Sequence, residues 1–424
     1  MDIAGVLPVA VRAGFFSDDQ SAILAGARQD GFRYIGDPRT PGFQAIRVPG
    51  EAVSVLLILG DGQVAQGDCA AVQYSGVGGR DQLLNSVEAM EQINRNVTPL
   101  LIGRDASSFR ELAGEIDSLI VEGWRLHSAI RYGVTQAILD FVAKSRALTM
   151  AEVVRDEYET GQALLPVPMF VQSGDDRYDA VDKMILKGVH ALPHGLINNV
   201  ETKLGTDGGL FASYVAWVRD RILALRKDDC YRPTMHFDVY GTIGIAFGSD
   251  NERMADYLSV LGETAAPFTL RIEHPVDAGS RERQVAALTA LRTSLRARGS
   301  DVQIVVDEWC NTLEDIELFA AAGAADVIHV KTPDLGGVNN TAEALLTVRR
   351  HGLAAYCGGT CNETDRSGQV IANIAMACGA DQILARPGMG GDEGLLIVGN
   401  EMLRVAALAG TRRGAATSAG GPSR

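Results

Sequence analysis

VQIVVDEWCNTLEDIELFAAAGAADVIHVK, residues 302–331, sets two short apolar runs, VQIVVD and DVIHVK, on either side of a helical stretch, and each run ends in an ionisable residue. The same texture extends in both directions. PMFVQ (168–172), MILKGVHAL (184–192), TMHFDVY (234–240) and FTLRIE (268–273) precede it, and LAAYCG (353–358) and QILAR (382–386) follow. Eight strand-length runs with amphipathic helices between them predict a parallel (β/α)8 barrel over residues 161–410. GGLFASYVAWVRDRILALRK (208–227) and SRERQVAALTALRTSLRARG (280–299) are examples of those helices, each closed by a basic last turn that suits the helix dipole.

Residues 1–160 read differently. Short apolar runs come first, with Asp61-Gly62 between AVSVLLIL (52–59) and QVAQGDCA (63–70) as a hairpin signal. Helical periodicity follows, in LLNSVEAMEQI (83–93) and across 124–148. This predicts an N-terminal α+β capping domain, strands first and helices after. TRRGAATSAGGPSR (411–424) is small, polar and basic, and is expected to be a disordered tail.

The chain has 424 residues, 46% apolar and 22% charged, the balance of a soluble globular protein rather than a disordered, collagen-like or membrane-embedded one. Its net charge of −14, with no compensating basic run, excludes nucleic acid and anionic membranes as partners. An anionic substrate would need a locally positive site. Six dispersed cysteines without a CxxC pair read as reduced thiols, and with no leader or apolar run of about 18 residues the expected location is cytoplasmic, unanchored.

Barrel chemistry gathers where the strands end. The residues there are Gln172, Asp238, Glu273, Asp307 and Lys331, with the acids 35 and 34 residues apart and Lys331 24 further on. Each acid alone could cap a loop or pair with an arginine. Three on successive strands would repel one another unless a cation lay between them, and all-oxygen donors suit Mg²⁺ or Mn²⁺ better than zinc. A bound cation should lower the pKa of Lys331 towards that of a general base. His194, past the second strand, could face it as the opposing acid or base, and His329 shares the strand face of Lys331. YCGGTCNET (356–364) offers backbone N–H groups to a carboxylate, whereas Cys357 and Cys361 read as packing and loop residues. GVGGRD (76–81) fails as a dinucleotide fingerprint. The constellation suits proton removal beside a metal-bound carboxylate, leading to epimerisation or elimination.

HFDVYGTIG, RIEHPVD, VVDEWCNT, HVKTPDLGG, AYCGGTCNET and ARPGMGGDEG, with GDCAAVQYSG and LPHGLINNVE before them, resemble the methylaspartate ammonia-lyase family of the enolase superfamily. The second strand lacks the KxK pair of the racemases, offering only Lys187. The resemblance implies elimination of ammonia from L-threo-3-methylaspartate to give mesaconate, with Asp238, Glu273 and Asp307 on Mg²⁺ and Lys331 taking the C3 proton. It implies that His194 stands on the opposite face, that Gln73, Gln172, Thr360 and Cys361 hold the substrate, and that Leu384 lines the methyl pocket. It also implies a cap that excludes water, activation by K⁺ and a homodimer. One departure is His329, where the family usually has Gln. His329 is expected to donate to the substrate carboxylate, with affinity falling as pH rises between about 5.5 and 8. The rival readings are another lyase or a dehydratase of the superfamily, and a barrel that binds a ligand without catalysis.

Overall fold

The structure, a computed structural model, describes the backbone of residues 1–419 and side chains as far as Thr411. The chain opens on a three-stranded antiparallel sheet, β1 (Ile3–Asp18), β2 (Arg47–Leu59) and β3 (Val64–Cys69). The expected hairpin joins β2 to β3. Gly62 takes a φ of 86°, and the Asp61 carboxylate accepts from the Gln63 N–H at 3.0 Å. Helix α1 (Ser128–Ser145) lies on this sheet and is buried from Ala129 to Ala143. It can approach because residue 133 is glycine: a Cβ there would meet the Cys69 backbone nitrogen at 2.3 Å.

Eight parallel strands then close into a barrel in chain order. They are β4 (Met169–Phe170), β5 (Ala191–His194), β6 (Thr234–Asp238), β7 (Leu270–Glu273), β8 (Gln303–Val306), β9 (Val327–Val330), β10 (Ala354–Cys357) and β11 (Gln382–Leu384). Phe170, Ala191, Val305, Val327, Tyr356 and Leu384 pack together as a separate buried cluster.

Seven of the eight apolar runs contain their strands, and MILKGVHAL does not. Met184–Leu186 ends helix α2 (Asp179–Leu186), Gly188 turns with φ of 67°, and the strand begins only at Ala191. A short apolar run has no period long enough to separate a helix end from a strand, and Met184 and Ile185 are buried as helix residues. Lys187 is therefore not on the second strand at all. It sits past α2 and pairs with Asp392 on the surface.

Helix α3 (Asp365–Cys378) is buried over most of its length and packs against both α1 and β3, tying barrel to cap. Helix α4 (Asn400–Ala419) lies on α3. Residues 411–419 of the expected disordered tail are thus helical in backbone, in keeping with the alanines and arginines they contain, and 420–424 lie outside the described residues. By length and a mean hydropathy of 1.2 the stretch Asp392–Thr411 could cross a membrane, but Val398, Met402, Val405 and Ala409 are buried against the protein.

Candidate active site

The acids come together at the C-terminal mouth of the barrel. Asp238 and Glu273 end β6 and β7 in direct register, and Asp307 follows β8 by one residue. All three are buried. Their protonation equilibria diverge with their neighbours. Burial and the Glu273 charge raise Asp238 above the usual carboxylate range. Glu273 is held below that range despite burial, by His329 and His236. Asp307 is held well below it, chiefly by Lys331 and then His329.

Lys331, one residue beyond β9, places Nζ 2.5 Å from Asp307 Oδ1 and 3.8 Å from Glu308 Oε1. Burial would lower its pKa, but these two carboxylates outweigh burial and raise it. The protein's own charges therefore act against the expected lowering. His329 is engaged differently from expectation too. Its Nδ1 lies 2.7 Å from Glu273 Oε1 and 3.2 Å from Asp307 Oδ1, while Nε2 accepts from the Gly359 N–H at 3.3 Å. The ring stacks on Tyr356 and fits only because residue 358 is glycine, where a Cβ would lie 1.6 Å from Nε2. Both nitrogens are thus committed within the protein. Asp307 and Glu273 overcome burial and raise its pKa to about 9, which moves any titration above the window expected from sequence; the contact from Gly359 belongs to the neutral ring, since the protonated ring carries a hydrogen on Nε2.

His194 ends the second barrel strand, four strands round the closed barrel from Lys331, and so stands across the mouth from it. Its Nε2 is 3.4 Å from Asp238 Oδ2, and its buried Nδ1 has no partner among the described residues. Gln172 lines the same cavity, with Oε1 buried and likewise unpartnered. Gln73, from the cap, reaches in after β3. Its Nε2 donates to Asp18 at 2.7 Å, its backbone N–H donates to Thr360 Oγ1 at 3.2 Å, and its Oε1 accepts from Cys361 Sγ at 3.3 Å. Burial pushes the Cys361 thiol up to about 12, so it enters the cavity wall as a neutral donor.

Two expectations shift here. Leu384 is fully buried in the cluster with Phe170 and Tyr356 and is not among the residues lining the cavity. The 356–364 loop also keeps several N–H groups for itself: Gly358 donates to Val330, Gly359 to His329 and Thr360 to Glu363. Rather than gripping an anion with its backbone, this loop presents the Thr360 and Cys361 side chains.

Several cavity residues escaped the sequence reading. Arg80, in the cap loop dismissed as a nucleotide fingerprint, is buried at the mouth and pairs with Glu308 and Asp334 at 2.8 Å each. Tyr74, Tyr240, Tyr356 and Met389 complete the wall. His236 lies two residues before Asp238 on β6, the same offset that marked His329, and its Nε2 is 2.7 Å from Glu273 Oε2. Under the cavity, Tyr132 of α1 donates to the fully buried Glu363, which also pairs with Arg386 at 3.4 Å.

The arrangement can hold a hard cation and set a lysine beside it, with a histidine opposite. Residues 1–159 and 162–411 match family models described as the methylaspartate ammonia-lyase N-terminus and C-terminus. A methylaspartate ammonia-lyase of Clostridium tetanomorphum is 56% identical over 97% of this chain and 100% of its own. One of Citrobacter amalonaticus is 50% identical over 97% and 100%. Among solved structures, the magnesium complex of β-methylaspartase from C. tetanomorphum superposes with a TM-score of 0.93 at 56% identity, covering 97% of this chain and 100% of that one. The C. amalonaticus enzyme containing (2S,3S)-3-methylaspartic acid gives 0.95 at 51%, covering 96% and 100%. Muconate cycloisomerase from Pseudomonas fluorescens, 19% identical with a TM-score of 0.59 over 88% of this chain and 84% of that one, shares the fold.

Proposed function

This chain belongs to the methylaspartate ammonia-lyase family of carbon–nitrogen lyases, and on that premise we propose that it eliminates ammonia from L-threo-3-methylaspartate to give mesaconate. The observation that carries this reading is Lys331 Nζ at the edge of a buried carboxylate cluster, 2.5 Å from Asp307, with His194 across the mouth. The donors fit Mg²⁺. Asp238, Glu273 and Asp307 are buried hard oxygen donors at three adjacent strand ends, and burial together with the Glu273 charge raises Asp238, a cost that a cation there would relieve. When bound there, Mg²⁺ supplies positive charge to the three acids and to a substrate carboxylate, easing loss of the proton from the adjacent carbon.

The chain's own residues do the rest. Lys331 takes the C3 proton, and Asp307 and Glu308 govern how readily its ammonium gives up its own proton beforehand. His194 presents its unpartnered Nδ1 within the cavity wall opposite, placed to serve the epimeric substrate. The unpartnered Gln172 Oε1 can accept from the substrate amine, the Thr360 hydroxyl keeps its own proton for a carboxylate, and Cys361 braces Gln73 through its thiol. Leu384 acts from beneath, shaping the methyl pocket through the cluster it shares with Tyr356. Gln73 and Arg80 bring the cap over the mouth and keep water out. Incubating the protein with Mg²⁺, K⁺ and the L-threo substrate should release ammonia and mesaconate in equal amounts by NMR. Ammonia without mesaconate, or no ammonia, would overturn the reading.

A further inference from the structure

A chain of side-chain hydrogen bonds runs through the barrel interior and ends on Glu273. Arg271 donates from Nη1 to Gln382 Oε1 at 2.6 Å. An arginine has donors only, so this contact fixes the amide of Gln382 with oxygen towards Arg271 and the NH₂ group towards His236. That NH₂ group lies 3.0 Å from His236 Nδ1. Nδ1 must then accept, the ring proton must sit on Nε2, and the N–H points at Glu273 Oε2, 2.7 Å away. His236 has no exposed surface, stacks on Phe170 with centroids 4.3 Å apart and meets the edge of Tyr356. The opposite oxygen of Glu273 is held by His329 at 2.7 Å.

We propose that His236 is a positioning residue for Glu273: the Arg271–Gln382 pair locks its Nε2–H tautomer, and the single N–H donated to Oε2 aims the carboxylate at the cation. The inference rests on the metal-centre reading above. Partners of this kind are worth about 10- to 100-fold in metal affinity.

The test is calorimetric titration of chelator-stripped protein with Mg²⁺ alone, joined to ¹⁵N NMR of histidine-labelled protein. His236→Phe keeps the stacked ring and loses the donor, and should weaken Mg²⁺ binding about 10- to 100-fold. His236→Gln, whose amide can donate again, should recover most of that loss, which a merely space-filling role would not predict. Wild-type spectra should show His236 as the Nε2–H tautomer. If His236→Phe fails to fold, Gln382→Leu leaves the histidine in place and should both weaken Mg²⁺ binding and release the tautomer into a mixture. Unchanged Mg²⁺ affinity in a folded His236→Phe or Gln382→Leu protein, or an Nδ1–H tautomer in the wild type, would overturn the proposal. Absence of Mg²⁺ binding by the wild type would instead overturn the metal centre itself.

Discussion

Single residues carry the chemistry, and their roles separate under substitution. Lys331→Ala should cut turnover by about 10²- to 10⁴-fold, the range for a lost proton-transfer group, while calorimetry finds Mg²⁺ still bound. Substrate C3–H exchange with solvent at the wild-type rate in that variant would remove Lys331 as the base. Asp307→Asn should instead weaken Mg²⁺ by more than about tenfold, and equal affinity would remove Asp307 from the ligand set. His329 gives a pH signature. Its pKa is raised to about 9 by Asp307 and Glu273, which outweigh burial, against an ordinary value of about 6.5. A histidine with a raised folded-state pKa contributes stability that is fully present below about 6.5 and lost as pH rises through about 9. The Tm of metal-free protein should therefore fall across that interval, and His329→Gln should remove this component; identical profiles would count against the ion pairs. The three acids and Lys331 were legible because ionisable residues at consecutive strand ends have no packing reason to be there. His236 was not, since a histidine inside a strand looks the same whether it fills space or orients a ligand, and only the distance to Glu273 distinguishes them.

At the scale of elements, close approach and buried polar pairing govern how cap meets barrel. Gly133→Ala would drive a methyl group into the Cys69 backbone on β3, so it should cost about 1–3 kcal/mol in chemical denaturation; a wild-type midpoint would mean that α1 can shift freely. Seven strands could be read from apolar runs bounded by turns and polar ends. The second could not, because the apolar end of α2 and the true strand Ala191–His194 are separated only by the Gly188 turn. The 356–364 loop was read correctly as part of the mouth but not in its use of donors: a glycine-rich stretch offers N–H groups, and the sequence does not say that His329 and Glu363 have already taken two of them.

Over the whole molecule, a net charge of −14 has to coexist with the anionic substrate proposed above, and two of the buried cations stand at the mouth beside its acids. Lys331 comes from the barrel and Arg80 from the cap, so the two cations that offset the acids of the mouth are brought together only when the two domains meet. Arg80→Ala should raise KM more than it lowers kcat, and added guanidinium should partly restore it; loss of kcat alone would place Arg80 in the chemistry rather than in closure. That a strand-and-helix cap precedes the barrel was legible from a change of texture along the chain, whereas Arg80 was hidden in a loop whose glycines drew attention to phosphates. The account stands most directly on ultraviolet absorbance of the purified protein mixed with L-threo-3-methylaspartate, with and without Mg²⁺. It predicts that the conjugated alkene of mesaconate grows in only when the metal is present. No growth with Mg²⁺ and K⁺ both supplied, or equal growth in the presence of a chelator, would contradict it.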